Sequence, residues 1–186
     1  MHRFLKSHFL SAFFGLCAIV CSSGVCQAQT VFPFDVDVHR GLVNPPFSVL
    51  HFAFSDDIQA SLNPGFVVNP TESPVCLEFR AFVPRGMFNL TIRTESSANT
   101  PNIDGTIEVL NWITQEYEVV DTFDEAFPFD NLRESVLPGP DFFYVNFFDN
   151  NSISYRMRWD RKPKSFIIAD PWEVRVDLAV IGTTNN

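Results

Sequence analysis

The side chains with reactive chemistry to offer are few in kind. The 186 residues carry four histidines and four cysteines, of which His39, His51 and Cys76 lie beyond the leader described below. A zinc hydrolase needs a clustered set of nitrogen, sulfur and carboxylate ligands, and a nucleophilic thiol needs a base beside it. Neither set is assembled by the sequence. There is no His-Glu-x-x-His pair, no paired CxxC, no Gly-x-Ser-x-Gly elbow and no phosphate-binding glycine loop. Cys76 sits inside the apolar run VCLEFRAFV, which marks it as a small buried hydrophobe. His39 and His51 read as a loop cap and a strand residue.

Carboxylates, by contrast, are plentiful, at 22. A glycosidase needs two of them roughly 5–10 Å apart, so the alternative function is a carboxylate-dependent polysaccharide hydrolase. Its acids would be Asp56 and Asp57, or Asp121, Asp124 and Glu125. The very number of acids favours solvated loop carboxylates instead. Oxygen-rich loops also suit Ca²⁺, and Asp56 and Asp57, with Asp104 and Asp149, fall at expected strand ends. Asp56 and Asp57 are therefore the candidate metal ligands, and a structural Ca²⁺ is the one cofactor the sequence admits. Asp35-x-Asp37 begins like an EF-hand loop, but His39 and Arg40 occupy positions that need an oxygen ligand and a glycine.

Arg80, Arg93, Arg156, Arg158 and Arg175 all project to the polar side of alternating runs. They would form either a concave sheet that grips an acidic glycan or a cross-strand ladder of opposite charges. The interleaved Glu78, Glu173 and Asp177 favour the ladder. Trp159 and Trp172 lie on apolar faces and belong in the core. Trp112 and Tyr117 face each other if Thr114-Gln115 is a two-residue turn. Together with Arg156 and Arg158 they are the candidate ligand-binding residues, with carbohydrate as the ligand class. Asn89-Leu90-Thr91 and Asn150-Asn151-Ser152 match glycosylation sequons.

What must position these groups is read from patterning. Arg3 and Lys6, then the apolar FLSAFFGLCAIV, then Ala28 make residues 1–28 a secretory signal peptide, leaving 29–186 as a single domain. The 12 apolar residues fall short of the roughly 20 a spanning helix needs, so no stable membrane insertion is expected after cleavage. The export signal implies a secreted, periplasmic or cell-surface protein. Without the leader, basic residues drop from 13 to 11 against 22 acidic ones, a net charge of −11. Such a surface repels phosphate backbones, which argues against nucleic acid as a partner. Cys76 is then the sole cysteine, so no disulfide can staple the chain.

Thirteen scattered prolines break helical windows. Short alternating runs recur about every 8–14 residues instead, which argues a sandwich or barrel. Strands are expected around 35–38, at 49–54 with Leu50, Phe52 and Phe54 on one face, and at 65–69. Further strands are expected at 74–83, 87–95, 106–113, 116–120, 132–137 and 142–148. The most regular are 152–161 and 172–182, the latter with Trp172, Val174, Val176, Leu178 and Val180 inward.

Two segments carry a family likeness: GTIEVLNWITQEYEVVDT and YVNFFDNNSISYRMRWDR, with SDDIQASLNPG upstream. Over residues 54–182 the chain resembles uncharacterised modules of exported bacterial proteins, of jelly-roll or galactose-binding-like build. The resemblance implies an all-β antiparallel sandwich, jelly-roll-like, of about 8–10 strands, and transfers no catalytic residue. The resulting expectation is a non-catalytic exported protein that binds a glycan or a cell-surface component. A purely structural role in an envelope or extracellular assembly is the third reading.

Overall fold

In a computed structural model, the structure describes residues 29–43, 47–55, 59–65, 72–162 and 172–183. Among them run eleven strands: β1 Thr30–Val31, β2 Pro33–Arg40, β3 Leu42–Val43, β4 Ala60–Asn63, β5 Val75–Phe82, β6 Leu90–Ala98, β7 Ile103–Asn111, β8 Glu116–Asp124, β9 Asn131–Val136, β10 Ser152–Arg161 and β11 Val174–Thr183. All pair antiparallel, in two sheets. One has the order β3-β4-β11-β6-β9, with β1 also on β11, and the other the order β2-β5-β10-β7-β8.

The last eight strands are nested. β7 pairs β8, β6 pairs β9, β5 pairs β10 and β4 pairs β11. The chain from Ala60 to Thr183 is thus one long hairpin, folded over so that alternate pairs fall in opposite sheets. This is the jelly-roll arrangement, with β2 and β3 added at the edges. The segment 106–120 is its closed tip.

Alternation puts every second side chain between the sheets. Val75, Leu77, Phe79 and Ala81 of β5 and Ile153, Tyr155, Met157 and Trp159 of β10 are all buried there. Phe79 stacks on Tyr155 at 5.2 Å and meets Phe52 edge-on at 5.1 Å. The Tyr155 hydroxyl donates to the Ala179 carbonyl of the facing sheet at 2.8 Å. Trp159 and Trp172 are core residues, as their faces imply.

Several expectations need correction. The run 49–54 is no strand: Val49–Phe52 is a 3-10 turn that buries Phe52 and leaves Leu50 and Phe54 exposed. Its alternating apolar residues mimic a two-residue period. The apolar stretch 142–148 is likewise irregular, with a 3-10 turn at Asp141–Phe143 and Phe142, Phe147 and Phe148 facing outward. In β11 the register shifts between Val176 and Leu178. One extra residue in a strand reverses which side chains face the core. Ala179 and Ile181 therefore join the core cluster, and Leu178 does not. Of the expected strand 65–69, residues 66–69 lie outside the described residues.

The tip itself is wider than a two-residue turn. Leu110 pairs Tyr117 and Asn111 pairs Glu116, so residues 112–115 form the loop. Asn111 explains it: its side-chain oxygen accepts from Ile113 N at 2.9 Å and Thr114 N at 3.3 Å, closing the turn locally. Gln115 then takes φ = 61°. Trp112 and Tyr117 are not opposite one another.

Candidate functional site

The outer face of the β2-β5-β10-β7-β8 sheet collects most of the polar side chains singled out in the sequence. β10 presents Arg156 and Arg158, β5 presents Cys76, Glu78 and Arg80, β7 presents Glu108, and β8 presents Tyr117. The register sets them side by side: Arg156 pairs with Glu78 on one flank and Glu108 on the other, and Arg158 with Cys76 and Thr106. Arg80 is paired with Asp35, Arg156 and Arg158 both with Glu108, and His39 Nε2 lies 2.8 Å from Glu78. This is the expected ladder of opposite charges.

It is not one face for all five arginines. Arg93, paired with Glu134, and Arg175, paired with Glu173, belong to β6 and β11 of the other sheet. Adjacent runs of a jelly roll alternate between sheets, so similar outward patterns end on opposite sides of the molecule.

Tyr117 reaches across the strands. Its hydroxyl is hydrogen-bonded to Glu78 on β5, and the Arg156 guanidinium sits 3.9 Å from its ring centroid. Cations on aromatic faces contribute about 0.5–2 kcal/mol. Burial, then the Glu78 carboxylate, hold the Tyr117 phenol well above its ordinary pKa, so it stays a neutral donor. Trp112 is placed elsewhere, in the tip loop, where its backbone N–H donates to Phe143 O at 2.8 Å. Its indole N–H is buried without a partner among the described residues. The structure therefore brings together Tyr117, Arg156 and Arg158, and sets Trp112 apart.

Two polar hollows open beside Arg158. One, of about 260 Å³, is lined by His39, Arg40, Glu72, Cys76, Arg156 and Arg158. The other, of about 440 Å³, lies toward Asp104, Thr122, Asp124 and Lys162. Ser73 and Arg158 border both. Sequence reading missed His39, Arg40 and Glu72 as neighbours of the arginines, because the pairing of β2 with β5 is long-range and leaves no local spacing signal. Phe34 and Phe82 were missed for the same reason; their rings stack at 3.9 Å on the exposed side of this sheet.

His39 and Cys76 share the smaller hollow, yet they do not make an activated pair. Burial pushes the Cys76 thiol up to about 11, against the pull of Arg156 and Arg158. A reactive thiol needs the opposite shift.

Of the carboxylates named for hydrolysis, Glu125 and Asp121 are engaged in structure. Glu125 has its side chain fully buried, accepting from Ser96 Oγ at 2.8 Å and Trp159 Nε1 at 2.7 Å, with Arg133 3.2 Å away. Asp121 accepts from Ser135 Oγ at 3.0 Å. Asp124 is 89% exposed at the surface. Of the candidate metal ligands, Asp56 and Asp57 lie outside the described residues. Asp104 is 2.6 Å from Lys162, and Asp149 accepts from Ser152 Oγ at 3.1 Å. Among the described residues no group of three or more His, Cys, Asp or Glu could hold a metal ion, and no helix is long and apolar enough to cross a membrane.

A third concavity, about 1030 Å³, opens at the tip end of the sandwich. Met87, Phe88, Leu137, Phe142 and Phe147 make most of its lining apolar, with Arg85, Asn89, Asp141 and Asn151 among them.

No family model matches the sequence, and no curated protein matches it significantly. Solved structures share its outline. A family 29 carbohydrate-binding module is 11% identical, with a TM-score of 0.48, over 84% of this chain and 88% of that one. The module CBM29_1 from Piromyces equi is 11% identical, with a TM-score of 0.46, over 85% and 91%. A variant of CBM29-2 complexed with cellulohexaose is 11% identical, with a TM-score of 0.47, over 84% and 91%.

Proposed function

We propose that this is a non-catalytic carbohydrate-binding protein, and that the glycan lies on the outer face of the β2-β5-β10-β7-β8 sheet. The observation that carries this is the Tyr117–Arg156 stack beside the two hollows at Arg158. Sugars present apolar ring faces and a rim of hydroxyls. An aromatic platform ringed by fixed guanidinium and carboxylate groups complements both. These groups stand on strands, so their positions are set by the sheet and need no ordering on binding.

The tip-end hollow is the poorer match for a hydroxyl-rich ligand, because apolar side chains make up most of its lining and its hydrogen-bonding groups are sparse for its size. On this reading residues 1–28 direct export, the protein acts outside the cytoplasm or at the cell surface, and it requires no cofactor. The deciding experiment is a glycan array and polysaccharide pull-down with the folded chain. At least one glycan class should be retained, and Tyr117→Ala should weaken that retention about tenfold, the scale of one lost stacking contact. Folded protein that retains no glycan would refute the proposal.

A further inference from the structure

The smaller hollow differs in sign from the molecule that carries it. The whole chain has a net charge of −9, yet Arg40, Arg156, Arg158 and His39 line this hollow against Glu72 alone among its bordering side chains. Arg40 is bound to Glu72 at 2.8 Å, and Arg156 and Arg158 share Glu108 behind them. With Glu78, the register partner of Arg156 and the partner of His39, three carboxylates serve three guanidiniums, but of these acids only Glu72 borders the hollow, so donors dominate its lining. His39 is engaged with Glu78 and adds a nitrogen at the rim. Arg158 Nε is buried with no partner among the described residues.

The larger hollow has the opposite balance. Asp104, Asp124 and Asp160 face Lys162 and the shared Arg158, with the hydroxyls of Ser73, Thr106 and Thr122 among them. The two hollows adjoin at Ser73 and Arg158, one cationic at the β2 side and the other rich in acceptors and hydroxyls at the β8 side. A neutral glycan makes no use of that asymmetry.

We infer that the His39–Arg40–Arg156–Arg158 hollow is a subsite for the carboxylate of an acidic sugar, with the adjoining hydroxyl-bearing residue of the glycan in the Asp104–Lys162 hollow. This rests on the glycan reading above and narrows it to uronate-containing chains. The hollow's size and its donor-rich lining suit a single carboxylate, and paired guanidiniums match its two oxygens. Repulsion from the rest of the acidic surface is screened beyond about 8–10 Å at physiological salt, whereas contact pairing within the hollow is not.

The test is affinity electrophoresis and calorimetry of the mature chain with alginate, polygalacturonate and hyaluronan, each beside its carboxyl-reduced form. At least one acidic polymer should bind ten times or more tighter than its reduced form, and rising salt should weaken that binding. Arg40→Gln should weaken it about tenfold, as expected for one charge-assisted hydrogen bond. Glu72→Gln removes the carboxylate that competes for Arg40 and should strengthen it. Equal binding of acidic and reduced polymers, or acid binding indifferent to both substitutions, overturns the subsite and leaves the glycan reading intact. So does retention of neutral glycans alone. Failure to bind any glycan overturns both.

Discussion

The two ends of the sandwich solve the same problem in opposite ways. At the end where β6 turns into β7, a buried carboxylate plugs the gap between the sheets. Glu125 receives Ser96, Trp159 and the backbone of Ala126, and Arg133 neutralises it. The Arg133 guanidinium lies 4.0 Å from the centroid of the Phe123 ring, and that ring covers Gly105. At the tip end, residues 83–89 and 137–151 arch over an apolar hollow and leave Phe88, Phe142 and Phe147 exposed. A satisfied polar cluster locks one end, while irregular backbone leaves the other open. The proposed site belongs to the locked end, since Asp104, Arg158 and Lys162 border it there. Rigidity beneath a binding face is what lets fixed charges act without reorganising.

The sharpest way to break this contrast is Glu125→Ala. It leaves Arg133 charged and nearly buried, and should cost about 3–5 kcal/mol in urea unfolding; a loss under about 1 kcal/mol would mean the cluster is not a lock. Gly105→Ala comes next. A methyl group there would run into the Phe123 ring, and overpacking of this kind costs about 1–3 kcal/mol.

Alkaline pH gives a gentler probe. Burial raises Tyr144 to about 12, aided by its hydrogen bond to Glu118, and raises Tyr117 and Tyr155 further. The unfolded phenols ionise near 10. Stability is therefore complete below that pH and falls as pH climbs from about 10 toward 12. Tyr144→Phe should flatten part of that fall in unfolding curves taken from pH 9 to 12. The smallest effect belongs to the open end: Phe88→Ala, on a residue 69% exposed, should stay within about 0.5 kcal/mol.

How far the sequence foretold this molecule depends on whether a segment's pattern is local. β10 could be delimited from its alternation, because a turn at Asp149–Asn151 precedes it and both faces are unambiguous. β11 was legible as far as Val176. A bulge leaves no mark in composition, so Leu178 was expected inward where Ala179 and Ile181 join the core cluster, although Val180 is buried as expected. Residues 49–54 and 142–148 misled because apolar side chains in tight turns imitate strands. Arg156 and Arg158 were recognisable as outward-facing, and Tyr117 as aromatic near a turn. Their partners were not: His39, Arg40 and Glu108 come from strands whose adjacency depends on the whole winding. Trp112 is set apart from Tyr117 because the turn length hung on one asparagine side chain.

The nested pairing has a consequence for how the chain reaches this state. Outer strand pairs such as Leu62 with Val174 join residues far apart in sequence, and closing such loops from an open chain is entropically expensive. Nesting removes most of that cost, since Asn111 with Glu116, Ser96 with Asn131 and Phe82 with Ser152 can close in turn. Each step then adds a short increment to a loop already closed. Folding should accordingly start at the tip and end at the β4–β11 seam. Chevron kinetics would show it: Asn111→Ala slows refolding, whereas Leu62→Ala chiefly speeds unfolding. The reverse pattern would place the nucleus at the seam and make the tip a late ornament of the fold.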